Sequence, residues 1–274
     1  MARHRTGDLD TVTAPSGPRR RVLHALLARG HVAGTVALVA MLVGVWQWLT
    51  ASGRVNRIIL ASPGDVFDSF IDITSQASFR EHFLFTLQEV VIGFAVGALS
   101  AVATAGACTA FPVVRRAVYP LLVVLNSVPK IVFLPLLIVW FGVGRGSTII
   151  LVGLIAFFPT FINTLSGLSI ADKDSLRLLT SLGASAPQMF RMLRLPLAMP
   201  LLFTGLKISA NFAVVGAITG EFLGSPKGLG YLLNQYAFLF RTAEVYATVV
   251  AIALFAVLVY ALLEVLDRKL IFWR

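Results

Sequence analysis

The residue best placed for chemistry in this sequence is Lys130, a charge inside an otherwise apolar run. It stands between Pro129 and Pro135, and Asn126 lies one turn earlier on the same helical face. Prolines at such positions break a helix and free backbone carbonyls. An ammonium there either lines a polar path and attracts an anion, or is neutralised by a buried carboxylate. Glu89 and Glu221 are the acids available for such a pair. Asn126, Lys130 and Glu221 are therefore the candidates for a translocation path. No catalytic residues are assigned. The single cysteine, Cys108, lies in an apolar run, which excludes an intrachain disulfide and reads as a small packing residue; no metal or redox centre is indicated.

Nucleotide chemistry would need a Gly-x-x-x-x-Gly-Lys-Ser/Thr loop whose amides and lysine cradle phosphates. No Gly-Lys dipeptide occurs in the chain. The glycine-rich stretches 142–146 and 224–230 read as tight turns between spans.

The elements that must position Lys130 follow from composition. Of 274 residues, 57% are hydrophobic and 13% charged, with mean hydropathy +0.85. Soluble domains carry about twice that share of charge, so bilayer is the solvent that fits. Six runs are long enough to cross it as helix: roughly 32–50, 83–110, 117–141, 147–168, 197–222 and 243–264. Alternating barrel patterning is absent. The predicted fold class is all-α, a polytopic membrane protein with six transmembrane helices.

The net charge of +10 does not point to nucleic acid, because the basic residues punctuate apolar runs and form no patch with interleaved aromatics. They sort by topology instead. Arg19–Arg21, Arg29, Arg115, Arg116, Lys173, Arg177, Arg191, Arg194, Arg268 and Lys269 fall on one side, against Arg54, Arg57, Arg80, Arg145, Lys227 and Arg241. By the positive-inside rule both termini are cytoplasmic. Residues 1–30 read as a disordered basic tail and 31–274 as one membrane domain. The arginine triplet before an apolar run also resembles a signal peptide, but that run is long and ends in Trp46 and Trp48, as an anchor would.

Two connecting segments carry capping signals. Ser62-Pro63-Gly64-Asp65 starts a helix whose Val66, Phe67, Phe70 and Ile71 share a face opposite Asp65, Asp68 and Asp72. It either lies on the outer membrane surface or packs on the bundle. The long cytoplasmic loop, about 169–196, begins with Asp172 and Asp174 at a helix start and stops at Gly183. Ser185-Ala186-Pro187-Gln188 restarts a helix with a capping box. Two short helices joined at a glycine would make a compact knob, either a plain connector or a docking element.

This loop resembles the EAA loop of ABC importer permeases, on Leu182-Gly183-Ala184-Ser185, then Leu193 and Leu195-Pro196. Leu60-Ala61-Ser62-Pro63, Leu134-Pro135-Leu136, Trp140-Phe141-Gly142, Phe157-Phe158-Pro159, Gly220-Glu221-Phe222-Leu223-Gly224 and Gly228-Leu229-Gly230-Tyr231 extend the likeness to the nitrate/sulfonate/taurine branch. The resemblance covers roughly residues 58–272. It implies a type I importer permease (MetI-like) fold and a bacterial plasma-membrane location. It also implies a cytoplasmic ATPase that uses ATP and magnesium, an extracytoplasmic solute-binding protein, a second permease copy and surrounding lipid as partners. This chain would bind no cofactor itself. ATPase docking would fall on Asp174, Arg177, Leu178, Leu179, Leu182, Gly183, Ala184, Ser185, Leu193, Leu195 and Pro196. The family's Glu-Ala-Ala is replaced by Arg177-Leu178-Leu179, so Asp174 substitutes for the acid or the ATPase is a divergent one. The implied solute is a small anion; pyrimidine or riboflavin-type precursors are the alternative. An ion-coupled secondary transporter is the remaining rival, and neither internal repeats nor coupling acids support it.

Overall fold

The computed structural model describes residues 18–271, with side chains from residue 34 onward except Lys173. The expected tail therefore falls partly outside the described residues, over 1–17. From Pro18 the backbone is helical, so the tail expected over 1–30 gives way to helix earlier than the composition suggests. Pro18 at the first turn and a run rich in Leu and Ala explain it.

Two units divide the chain, Met1–Asn56 and Arg57–Arg274. The first holds α1 (Pro18–Ala51), whose apolar window is Gly34–Ala51. Its end is marked by Thr50, whose hydroxyl donates to the Gln47 carbonyl at 3.0 Å. The Arg54 guanidinium sits over the Trp48 ring at 4.9 Å.

In the second unit the chain runs through α2 (Pro63–Ser75), α3 (Ala77–Ala110), α4 (Pro112–Ser127), α5 (Leu134–Phe141), α6 (Arg145–Leu168), α7 (Lys173–Ser181), α8 (Ala186–Met189), α9 (Leu195–Gly224), α10 (Leu229–Phe238) and α11 (Thr242–Leu270). No strand occurs among the described residues. Five helices are long and apolar enough to cross a membrane, and the bent pair α4–α5 makes a sixth.

The core is built on α6, which lies between α3 and α9. Glycine lets the backbones close. A Cβ at Gly93 would lie 2.7 Å from Val152, one at Gly205 2.7 Å from Asn163, and one at Gly220 2.8 Å from Thr148. At Gly97 it would overlap the Gly153 carbonyl. The Gly93/Gly97 pair thus serves packing within the chain, α3 against α6, a choice its spacing leaves open. Thr160 and Ser209 hydroxyls meet at 2.7 Å, and Ser209 donates to the Ala156 carbonyl at 2.7 Å, joining α6 to α9.

The capping signal at Ser62 forms as expected. Ser62 Oγ accepts from Asp65 N–H at 3.1 Å, and Asp65 accepts from Ser62 N–H at 3.4 Å. The buried stripe of α2 differs from the expected one. Val66 and Ile73 are buried, whereas Phe67 and Ile71 are exposed. Ile73 enters a cluster with Leu229, Leu232, Tyr236 and Ala247, so the helix packs on α10 and α11 along one edge of its apolar side.

Candidate functional site

The loop after α6 is built from local chemistry. Asp172 caps α7, its carboxylate accepting from Ser175 N–H at 2.5 Å, which holds its carboxyl below the ordinary range. At the other end Gly183 adopts φ +77°, a conformation that side chains rarely take. Gly183 N–H donates to the Thr180 carbonyl and Ala184 N–H to the Leu179 carbonyl, both at 3.0 Å. This is the paired closure of a Schellman turn. Gln188 Oε1 then accepts from both the backbone N–H and the hydroxyl of Ser185, at 2.8 and 2.9 Å, and starts α8.

The second half of the expected knob is not a separate helix. Phe190–Arg194 forms a π turn that carries α8 straight into α9, so Leu193, Leu195 and Pro196 belong to the root of a long span. On α7, Leu178 and Leu182 are 61% and 72% exposed, one turn apart, while Leu176 and Leu179 turn inward. Arg177, where the resembling family has its acid, lies 3.6 Å from Asp174 with both side chains in the open, a pair worth little.

Lys130 lies on a break in the third span. The α4 helix stops at Ser127, Pro129 cannot continue it, and Lys130–Phe133 makes a 3-10 turn into α5; the axis bends by 92°. A continuous third span over 117–141, as hydropathy alone suggests, is thus replaced by two half-helices. The Lys130 ammonium donates to the Asn126 carbonyl at 2.5 Å and to Asn126 Oδ1 at 3.0 Å, and sits over the Phe158 ring at 4.7 Å. It satisfies the carbonyl that the break released, at the negative end of α4. Lys130 also lines a cavity of about 310 Å³ with Leu125, Phe133, Leu137, Trp140 and Phe158, and is the single ionisable group in that lining.

Glu221 is not its partner. It is 1% exposed, accepts from the Thr86 hydroxyl at 2.6 Å and from Gly230 N–H at 2.8 Å, and Thr86 in turn accepts from Leu229 N–H at 2.9 Å. The carboxylate caps the start of α10 and ties it to α3 and α9. The expected path triad is thereby split: Asn126 and Lys130 come together, while Glu221 is occupied in an anchor. Glu89 is buried beside Glu221. Replacing Glu221 with alanine leaves the Gly230 N–H unpaired in a dry site, at a cost of about 2 kcal/mol. The expected result is faster amide hydrogen exchange across 229–236, with α3 and α6 unchanged; wild-type exchange there would refute the anchor.

One charged group, Lys207, stands inside a span by sequence and has no role assigned from it. Lys207 of α9 lies 2.6 Å from Glu264 and 2.5 Å from Asp267 of α11. The available signal was the i, i+3 spacing of the two acids near the end of the last span, facing a lone lysine in the fifth.

Comparison with known proteins places this arrangement. Residues 93–272 match the family described as binding-protein-dependent transport system inner membrane component. A formylaminopyrimidine transport permease protein of Halalkalibacterium halodurans is 32% identical over 85% of this chain and 93% of its own length. A putative aliphatic sulfonates transport permease protein of Bacillus subtilis is 29% identical over 86% of each. The taurine transport system permease protein of Escherichia coli is 27% identical over 88% of this chain and 89% of its own. In fold, the chain is similar to a subunit of the inward-facing MetNI methionine ABC transporter, with TM-score 0.55, 20% identity, and coverage of 68% of this chain and 91% of that one. With a broken third span, a capped loop rooted in the fifth and this match over most of its length, the chain belongs to the binding-protein-dependent transport system inner membrane components, the membrane-spanning permeases of ABC importers.

Proposed function

We propose that this permease imports a small organic or inorganic anion of the sulfonate, taurine or nitrate type, driven by a separate ATPase docked on the α7–Gly183 corner. The observation that carries the reading is Lys130: an ammonium on a helix break, held by Asn126 with no carboxylate on it among the described residues, in a residue that borders an apolar cavity of about 310 Å³. Anionic solute passing there would meet a positive charge beside apolar walls. Relatives named for aliphatic sulfonates, taurine and nitrate support the class.

The loop carrying α7 faces the cytoplasm in this reading, together with both termini, as the distribution of Lys and Arg favours. Exposed Leu178 and Leu182 offer the ATPase an apolar pair on a helix outside the spans. ATP would draw two ATPases together, and each would pull one corner. Through the π turn the pull reaches α9 and tips the bundle between two packings. A second permease copy would cover the broken α4–α5 segment, where Asn126 and Lys130 stand at membrane depth in a segment with little cover from its own chain. An extracytoplasmic binding protein would deliver the solute.

A second reading has its own support: relatives named for formylaminopyrimidine and riboflavin are 32% and 31% identical. Phe133, Trp140 and Phe158 in the cavity wall suit a flat heterocycle. Lys130→Met separates the two. With the complete set of subunits in cells, uptake of taurine, ethanesulfonate or nitrate is expected to fall about tenfold, equivalent to about 1.4 kcal/mol. Uptake of a formylaminopyrimidine, unchanged by the substitution, would favour the heterocycle. Anion uptake with unaltered affinity and rate would rule out the role given to Lys130.

A further inference from the structure

A second basic site lies at the other end of the spans, outside the cavity of Lys130. The end of α3, the start of α4, the end of α6 and the first turns of α7 enclose a cleft of about 230 Å³. Arg115 and Arg194 reach it from segments far apart in sequence, joined by Thr109 and Ser169. Neither guanidinium is within ion-pair distance of a carboxylate among the described residues. The acids nearest in sequence are otherwise engaged: Asp172 holds Ser175 N–H and Asp174 faces Arg177. Three helix-end carbonyls already accept hydrogen bonds as well. Ala107 accepts from Phe111 N–H at 2.9 Å, Leu165 from the Ser169 hydroxyl at 2.8 Å, and Gly167 from Ile170 N–H at 3.2 Å. Two forked cations therefore face one polar cleft with no carboxylate on them among the described residues.

The surroundings say which anion fits. The apolar helices α3 and α6 end here, at Ala110 and Leu168, so the cleft stands where hydrocarbon gives way to headgroups. Residues adjoining its lining are apolar and exposed: Phe111 by 60%, Val113 by 79% and Ile170 by 52%. A soluble anion has no use for that rim, whereas the acyl chains of a lipid do.

We propose that Arg115 and Arg194 bind the phosphate of an anionic phospholipid, clamping the α3–α4 elbow to the π turn at the root of α9. Arginine pairs with phosphate through two parallel N–H donors, and the bond is charge-assisted. Basic pockets between spans at a membrane face bind such headgroups. The lipid would then brace the segment through which the loop meets the fifth span.

The test uses the purified full chain in nanodiscs of phosphatidylglycerol and phosphatidylcholine, followed by native mass spectrometry of the lipid retained after extraction. Wild type is expected to keep phosphatidylglycerol in preference to phosphatidylcholine. The Arg115→Gln/Arg194→Gln double variant is expected to lose about tenfold of that preference. Arg116→Gln, an exposed neighbour outside the cleft, should retain it. If the double variant does not fold to wild-type thermal stability, Arg194→Lys takes its place; it keeps the charge but loses the fork, and the preference should weaken. Equal retention of the two lipids overturns the proposal, as does full retention by the variants that remove the fork. Release of the lipid by millimolar inorganic phosphate would assign the cleft to a soluble anion and overturn it too. An acidic side chain of a docked subunit as the true occupant would leave the isolated chain without lipid preference, again a refutation.

Discussion

Cells expressing Gly183→Trp are expected to insert the permease in normal amount and to take up no solute. The Cβ of a residue at 183 meets no atom within 4 Å, so a side chain there starts into open space. Its costs are two. The positive φ of +77° strains any L residue by about 1–2 kcal/mol, which loosens the turn but does not unfold the spans. The indole then stands beside exposed Leu182, on the surface proposed to meet the ATPase. Asparagine tolerates this backbone region and is small, so Gly183→Asn should transport at close to the wild-type rate. Gly183→Ala, with strain but little bulk, should fall between. The measurements are ATP-dependent uptake and membrane content by immunoblot. Normal uptake by the tryptophan variant would mean that the ATPase docks elsewhere.

Gly97→Val is expected to remove the folded chain instead of its coupling. Gly97 lies against the Gly153 backbone, and the obstacle a side chain would meet is a main-chain carbonyl that cannot rotate away. Overpacking of that kind costs about 3 kcal/mol. The damage would spread, because the same face of α6 holds Gly93 against Val152 and, nearby, Gly220 against Thr148. Gly106→Val is the control on the same helix: no atom lies within 4 Å of its Cβ. The first variant should lose most of its monodisperse peak in detergent and melt well below wild type. The second should behave as wild type. Equal stability of the two would show that α3 and α6 do not meet through Gly97.

Residues close in sequence were the legible part. Apolar runs of sufficient length announced the spans, since a backbone in hydrocarbon must satisfy its own hydrogen bonds as helix. The capping residues of α2 and α8 were equally plain, because Ser62 with Asp65 and Ser185 with Gln188 each act over one turn; Asp172 and Asp174 marked the start of α7, and the structure makes Asp172 its cap. Gly183 stopped α7 for the same local reason. Pro129 announced a break at Lys130, although the angle of 92° was not contained in it.

What the amino-acid order determined by itself is thus the set of membrane helices, their caps and the glycine corner of the loop, all products of forces acting within a few residues. Tertiary structure decided the pairings. It gave Glu221 to Thr86 and Gly230, set Lys207 between two acids of α11, and turned Phe67 and Ile71 away from the packed face of α2. A buried charge must find a partner, but which of several candidates it finds depends on how helices far apart in the chain cross. That crossing is set where glycines let α3, α6 and α9 approach, a contact between distant residues that no periodicity along one helix encodes.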